Sequence, residues 1–301
     1  MKKALGIDIG GTKIYAAYVN EAGEIVSDIE KHSTPKSSEE IIEKLKEIIA
    51  QHENEIEFSA ISTAGGVNKE NTKVICSTAN LPFGYPKTDF SALSNKPVFV
   101  ENDANCAAWA EYKIGSAKGM DNNITLTLGT GVGGGLILNG QIFRGSHFQA
   151  GELSFLYGGK LEDKPILYGL RGSAVKMIHD IGKALHFENL GDGKAAFQAI
   201  IQKEEQAVKI FENYCRDIAI LILDMHAMLD LTHYAIGGGI SAQPILIEEI
   251  NRQYDLLADS ITDRGIKIVK LSLQRPQIIA ATLGNDANLY GALYGLVNTE
   301  K

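Results

Sequence analysis

A short apolar run, a glycine cluster, a second apolar run and a polar turn occur in that order twice in this 301-residue chain. In the first copy, Ala4 to Ile9 is short enough to be a buried strand. Gly10-Gly11-Thr12-Lys13 separates it from a second strand-like run, Ile14 to Val19, and the turn Asn20-Glu21-Ala22-Gly23 leads to a third, Glu24 to Ile29. In the second copy, Ile124 to Leu128 enters the loop Gly129-Thr130-Gly131-Val132-Gly133-Gly134-Gly135 and leaves it as Leu136 to Leu138. The tight-turn pair Asn139-Gly140 and the run Gln141 to Arg144 complete it. A glycine loop joining two strands excludes the dinucleotide and Walker arrangements, in which the loop opens a helix. The β-branched and aromatic residues after Lys13 argue against a helix there. Recurrence of the unit one domain length apart predicts a duplicated protein of two lobes.

Helical patterns fill the intervals. Ser37-Ser38-Glu39-Glu40 is a capping box, followed by one apolar stripe of Ile41, Ile42, Leu45, Ile48 and Ile49. Asp103 to Ile114 follows the strand-like run Pro97 to Val100 and stops at Gly115, and the longest helix is expected from Glu204 to Leu229. Alternating strands and helices give an α/β class. The expected N-terminal lobe covers residues 1–118 and is completed by a C-terminal helix at 285–301; a larger lobe covers 119–284.

Composition removes several classes. A chain with 45% hydrophobic and 22% charged residues is an ordinary globular mixture. Its net charge of −8, without a Lys/Arg cluster, speaks against a nucleic-acid partner. Cys76, Cys106 and Cys215 form no closely spaced pair, so neither a disulfide framework nor zinc is expected, and a cytoplasmic protein is. Residues 122–143 carry no charge, but their six glycines make the segment too polar and flexible to span a membrane. The N-terminus lacks the apolar region and cleavage site of a leader.

Asp8 ends the first strand just before Gly10, Gly11 and Thr12. Glycines let backbone N–H groups approach phosphate oxygens, Thr12 adds a hydroxyl, and Asp8 is placed to hold Mg²⁺ directly or through water. Read alone, this loop is as compatible with a plain hairpin turn. The second loop shifts the balance, because a hairpin does not need five glycines in seven residues. Gly237-Gly238-Gly239 follows another apolar strand and offers a flat backbone to an adenosine, although a strand-to-helix turn explains it equally well. Phosphoryl transfer to an alcohol also needs a proton acceptor. Asn102-Asp103-Ala104-Asn105 and Asn285-Asp286-Ala287-Asn288 compete for it. Asp103 follows a strand and opens a helix, where ligands of α/β sheets bind, whereas Asp286 suits a helix cap, so Asp103 is taken as the base. Glu152 is a candidate acceptor for sugar hydroxyls, or a solvated loop carboxylate. His147, His179 and Trp109 read as surface or packing residues.

Together these stretches resemble the ROK family of sugar kinases. The similarity is carried by GIDIGGTK (6–13), LPFG (81–84), VENDANCAAWAE (100–111), LTLGTGVGGGLILNGQIFRG (126–145), AGEL (150–153), AIGGGIS (235–241) and LGNDANLYGAL (283–293). It implies a duplicated actin-like (ribonuclease H-like) α/β ATPase fold, two lobes with a central cleft, acting on a sugar with ATP and Mg²⁺. It further implies that Asp8, Gly10, Gly11, Thr12 and Lys13, with Gly129, Thr130, Gly131 and Gly133, hold the phosphates. Gly237, Gly238 and Gly239 would lie by the adenosine, Gly65, Asn102, Asp103 and Glu152 would bind sugar, and Asp103 would be the base. Lobe closure, a 6-hydroxyl acceptor and a homodimer are expected on the same ground.

Two departures bear on the substrate. Many members follow the AGE element with glycine and a histidine that binds both the sugar and a structural zinc; here Ser154 and Phe155 stand there. The stretch Leu156 to Gly172 contains neither Cys nor His, so no zinc is expected, and a further sugar-binding glutamate has no counterpart around Tyr168 to Ser173. The lost groups face the C1/C2 end of the sugar in that family. An apolar Phe155 in their place predicts tolerance of a substituted C1 or C2, as in a β-glucoside such as cellobiose or in N-acetylmannosamine. A glucokinase or fructokinase of the same family is the alternative. A repressor is disfavoured, because only seven residues precede Asp8, and a sugar-binding module without turnover is disfavoured by Asp8, Asp103 and both loops.

Overall fold

The computed structural model describes residues 3–20, 24–76, 88–161 and 164–297. The turn residues at 21–23 and the LPFG stretch at 81–84 lie outside the described residues. The chain forms two compact units: residues 1–121, 135–151 and 285–301 in the first, residues 122–134 and 152–284 in the second.

The elements in chain order begin with β1 (Lys3–Ile9), β2 (Lys13–Asn20), β3 (Glu30–Ser33), α1 (Ser38–His52), β4 (Phe58–Thr63), β5 (Val98–Asn102) and α2 (Asp103–Lys113). Next come β6 (Asn123–Leu128), β7 (Val132–Leu138), β8 (Gln141–Ile142), β9 (Tyr157–Leu161), β10 (Lys164–Leu167), α3 (Tyr168–Arg171), α4 (Ala174–Ala184), α5 (Gly193–Ile201) and α6 (Glu205–Leu229). The chain continues through β11 (His233–Gly237), α7 (Pro244–Ser260), β12 (Thr262–Asp263), β13 (Ile266–Lys267), α8 (Ile268–Ser272), β14 (Gln277–Ala280) and α9 (Ala287–Val297).

The duplication is visible in the strand orders. One five-stranded sheet runs β3-β2-β1-β4-β5; the other, read from its opposite edge, runs β8-β7-β6-β11-β14, so each sets three consecutive strands side by side and adds two later ones beyond the first of the three. In the first, β1 pairs antiparallel with β2 and parallel with β4, which pairs parallel with β5. In the second, β11 lies parallel between β6 and β14. The uncharged segment at 122–143 holds three strands, β6, β7 and β8, and no described helix is long and apolar enough to cross a membrane.

Alternation along the first sheet sorts its side chains onto two faces. Leu5, Ile7, Ile9, Ile61, Val98 and Val100 join the stripe Ile41, Leu45, Ile48 and Ile49 of α1 in one buried cluster. Each such side chain contributes about 1.5–3 kcal/mol of burial. On the other face Ala4 packs on Leu293 of α9, and Ala60 packs with Cys106 and Ala292, flanked by Phe58 and Phe99. Small residues let α2 and α9 approach closely; a Cβ at Gly291 would stand 1.8 Å from the Cys106 carbonyl oxygen. Ser37 caps α1 as expected, its hydroxyl accepting the Glu40 N–H at 3.2 Å.

Three element readings are corrected. The third strand begins at Glu30, not Glu24. Ile25 makes only a bridge to Val19, and the Ser27 hydroxyl takes the Tyr18 N–H at 2.9 Å, so the chain turns before pairing resumes. The second glycine loop is shorter than Gly129 to Gly135, because β7 already starts at Val132. Gly134 and Gly135 serve packing: Cβ atoms there would meet Leu153 Cδ1 at 2.8 Å and the Ala104 carbonyl oxygen at 2.1 Å. The run Gln141 to Arg144 forms a strand only to Ile142; Phe143 still donates its N–H to the Leu136 carbonyl, and Arg144 forms an ion pair with Glu101. Asn139 and Gly140, at φ 51° and 72°, form the expected tight turn.

Candidate active site

In the first unit, parallel register aligns the carboxyl ends of three strands. Asp8 lies opposite Ser62, and Ser62 opposite Glu101; one residue on, Ile9, Thr63 and Asn102 form the next row. The first row belongs to the face covered by α2 and α9, which explains why polar residues there are buried. Asp8 is 9% exposed and accepts the side-chain amide of Asn288 at 3.0 Å. Burial pushes its carboxyl up to about 6, against the pull of the Asn288 amide and of the neighbouring Ser62 hydroxyl. The loop after it is a hairpin tip: the Gly10 N–H donates to the Lys13 carbonyl at 2.9 Å, and Gly11, Thr12 and Lys13 are exposed. The Thr34 hydroxyl braces it by donating to the Gly10 carbonyl at 2.7 Å.

Asp103 opens α2 immediately after the N-cap Asn102, whose side-chain oxygen accepts the N–H groups of Ala104 and Asn105 at 3.0 and 3.2 Å. The Asn102 amide donates to the Gly65 carbonyl at 3.0 Å. Gly65 sits at φ 103°, where a Cβ would be 2.5 Å from the Cys76 carbonyl oxygen, so glycine is required. Gly65, Asn102 and Asp103 are thus brought together in the first unit. Asp286 lies in a single helical turn ahead of α9, at Gly284–Asp286. His147 is exposed and Trp109 is buried at 2% exposure, as read.

In the second unit, β6 and β11 run parallel with Thr127 opposite Gly237, so the loops following them leave the sheet side by side. Gly238, at φ 95°, stands where a Cβ would be 2.2 Å from the Leu128 carbonyl oxygen; Gly239 has open space. Of the second loop, Thr130 is exposed, Gly129 has open space about its Cα, and Gly133 is already in β7. The Gly129 N–H closes the loop onto the Gly131 carbonyl at 3.0 Å, and the Gly129 carbonyl accepts the Ala174 N–H at the start of α4 at 2.9 Å. Ser154, part of a helical turn at Leu153–Phe155, clamps Val132 through both backbone groups at 3.0 Å. Glu152 caps that turn without a side-chain hydrogen bond, and burial raises its carboxyl. Phe155 is 70% exposed.

Sequence reasoning missed Asn288, Ser62, Arg144 and Ser154. The repeated tetrapeptide held a signal for the first: its last residue, Asn105 or Asn288, donates an amide to a buried carboxylate, Glu101 or Asp8. Among the described residues no group of three or more His, Cys, Asp and Glu side chains is placed to hold a metal ion.

Similarity to known proteins extends over most of the chain. The family model described as ROK family matches residues 4–161 and 172–299. A glucokinase of Streptomyces coelicolor is 32% identical over 97% of this chain and 96% of its own length. A beta-glucoside kinase of Listeria monocytogenes is 27% identical over 99% of this chain and 98% of its own. The crystal structure of a ROK family glucokinase from Streptomyces griseus, in complex with glucose and AMPPNP, superimposes with a TM-score of 0.79 at 27% identity, covering 96% of this chain and 97% of that one.

Proposed function

Since the chain belongs to the ROK family, and is with it an ATP-dependent sugar kinase of two-lobed actin-like fold, we propose that it phosphorylates a hexose carrying a substituent at C1 or C2, with Asp103 as general base. The observation that carries this reading is the row of strand ends in the first unit. There Asp8, Gly65, Asn102 and Asp103 gather on one rim of one sheet, and Asn102 ties the Gly65 turn to the start of α2.

In this reading Asn102, Asp103 and Gly65 bind the sugar, and Glu152 accepts from its hydroxyls. Asp103 orients the attacking hydroxyl, taken to be the 6-hydroxyl, and removes its proton late, as a loose transition state requires. Gly10 to Lys13, Gly129 to Gly131 and Gly133 are proposed to receive the ATP phosphates, and Gly237 to Gly239 the adenosine. The carboxylate of Asp8 is a hard oxygen donor that suits Mg²⁺, directly or through water, and a single buried carboxylate fits an ion otherwise held by phosphates and water. Bound there, Mg²⁺ would neutralise charge at the transferring phosphoryl group.

The substituent follows from Phe155. With 70% of its surface exposed it offers an apolar face where many members carry a polar histidine. The relative named as a beta-glucoside kinase supports the same direction, whereas those named glucokinases support free glucose. A homodimer and a cytoplasmic location complete the proposal; the three cysteines are free thiols, which suits a reducing compartment. The test is a coupled ADP-release assay with Mg·ATP across glucose, fructose, N-acetylmannosamine, cellobiose and aryl β-glucosides. The reading expects the highest kcat/KM for a substituted sugar; a clear preference for free glucose would overturn it.

A further inference from the structure

We infer that Arg144 is a positioning residue for Asp103, acting through the buried carboxylate of Glu101; the inference rests on Asp103 being the base. Glu101 is the residue before Asn102 on β5 and is 3% exposed. Five donors converge on it. Its Oε1 accepts the backbone N–H of Asn102 at 2.9 Å and the side-chain amide of Asn105 at 3.0 Å. Its Oε2 accepts the amide of Asn71 at 3.1 Å and Nε of Arg144 at 3.0 Å, and Nη2 of Arg144 donates to the same oxygen.

The groups held in this way flank Asp103 on both sides. Asn102 precedes it, Asn105 lies in the same first turn of α2, and Asn102 in turn carries the Gly65 carbonyl. Asn71, at φ 55° and 4% exposed, extends the network to the segment after β4 by accepting the Val100 N–H at 2.8 Å and donating to the Val100 carbonyl at 2.9 Å. Only a carboxylate offers acceptors on both oxygens to so many donors. A buried carboxylate, however, is costly without a cation, and negative charge accumulates here: Glu101, Asp8 and Asp103 all act on the Cys106 thiol. The Arg144 guanidinium, with 21% of its side chain exposed, supplies the compensating charge and a fork that fixes direction as well as charge.

The test compares Arg144→Met, Arg144→Lys and the double variant Glu101→Gln/Arg144→Met with wild type and Asp103→Asn. The readouts are kcat and both KM values across pH, using the best sugar of the panel, with thermal melting of each variant. Arg144→Met is expected to lower kcat about tenfold or more while KM for ATP stays within about twofold. Its acid limb should move to higher pH, because the uncompensated Glu101 charge disfavours ionisation of Asp103, two residues on. Arg144→Lys should recover part of kcat, keeping the charge but not the fork. The double variant should return the acid limb to its wild-type position. Wild-type kcat and limb in Arg144→Met would overturn the inference, as would a loss that tracks the folded fraction with the limb unmoved. Should Asp103→Asn turn over like wild type, the base assignment fails and takes this inference with it. An inactive Asp103→Asn beside an unaffected Arg144→Met sinks this inference alone.

Discussion

The side-chain amide of Asn288 donates to the carboxylate of Asp8 across 3.0 Å, joining residues 280 positions apart in sequence. It joins the last helix of the chain to the end of its first strand. The same contact opposes, without cancelling, the rise that burial imposes on the Asp8 carboxyl.

Asp8 yields a prediction with a definite sign. Its carboxyl rises from an ordinary value of 3.8 to about 6 because burial outweighs the Asn288 hydrogen bond and the nearby Ser62 hydroxyl. The folded protein therefore binds the proton more tightly than the unfolded chain. The stability this contributes is fully present below pH 3.8 and is lost as pH rises through about 6. At neutral pH the ionised group is a burden of about 3 kcal/mol. Asp8→Asn should thus melt higher than wild type at pH 7.5, with the difference vanishing towards pH 4, and should lose phosphoryl transfer. Equal melting temperatures at neutral pH would contradict the assignment.

Glycines of the second loop should separate into two kinds. Gly129 has open space about its Cα, so Gly129→Ala should fold as wild type while raising KM for ATP. At Gly135 a Cβ would stand 2.1 Å from the Ala104 carbonyl oxygen and 2.4 Å from the Ala108 Cβ. Gly135→Ala should therefore cost about 1–3 kcal/mol or more in urea unfolding. Matching urea curves for the two variants would show that the division is wrong.

That division also marks how far sequence reading reached. Strand–loop–strand repeats, the Ser37 cap and the α2 start were legible because each is local: turn residues, capping hydroxyls and apolar spacing act within a few positions. The placement of Asp103 at a strand's carboxyl end followed from the same local grammar. What escaped depends on contacts between distant segments. Gly134 and Gly135 look like loop residues until Leu153 and Ala104 are seen against them. Arg144 read as the end of a strand, whereas its contact with Glu101, 43 positions away, has no local signature. Ile25 was apolar enough for a strand, and only the Ser27 hydroxyl on Tyr18 shows why pairing breaks there.

Phe155 offers a test of substrate choice that leaves the fold alone. With 70% of it exposed, Phe155→Ala should change melting by no more than about 0.5 kcal/mol in equivalent stability. It should selectively lower kcat/KM for a β-glucoside relative to glucose. An unchanged ratio would remove Phe155 from the substrate contacts.

Asp103 bears the central claim, and Asp103→Asn tests it with the smallest change of shape. Wild type and variant would be compared by ADP release under saturating Mg·ATP and by calorimetric titration with the preferred sugar. Turnover is expected to fall by about a hundredfold or more, with sugar affinity held within a few fold, since the amide keeps the contact but cannot take the proton. Turnover close to wild type, at unchanged sugar affinity, would contradict the account.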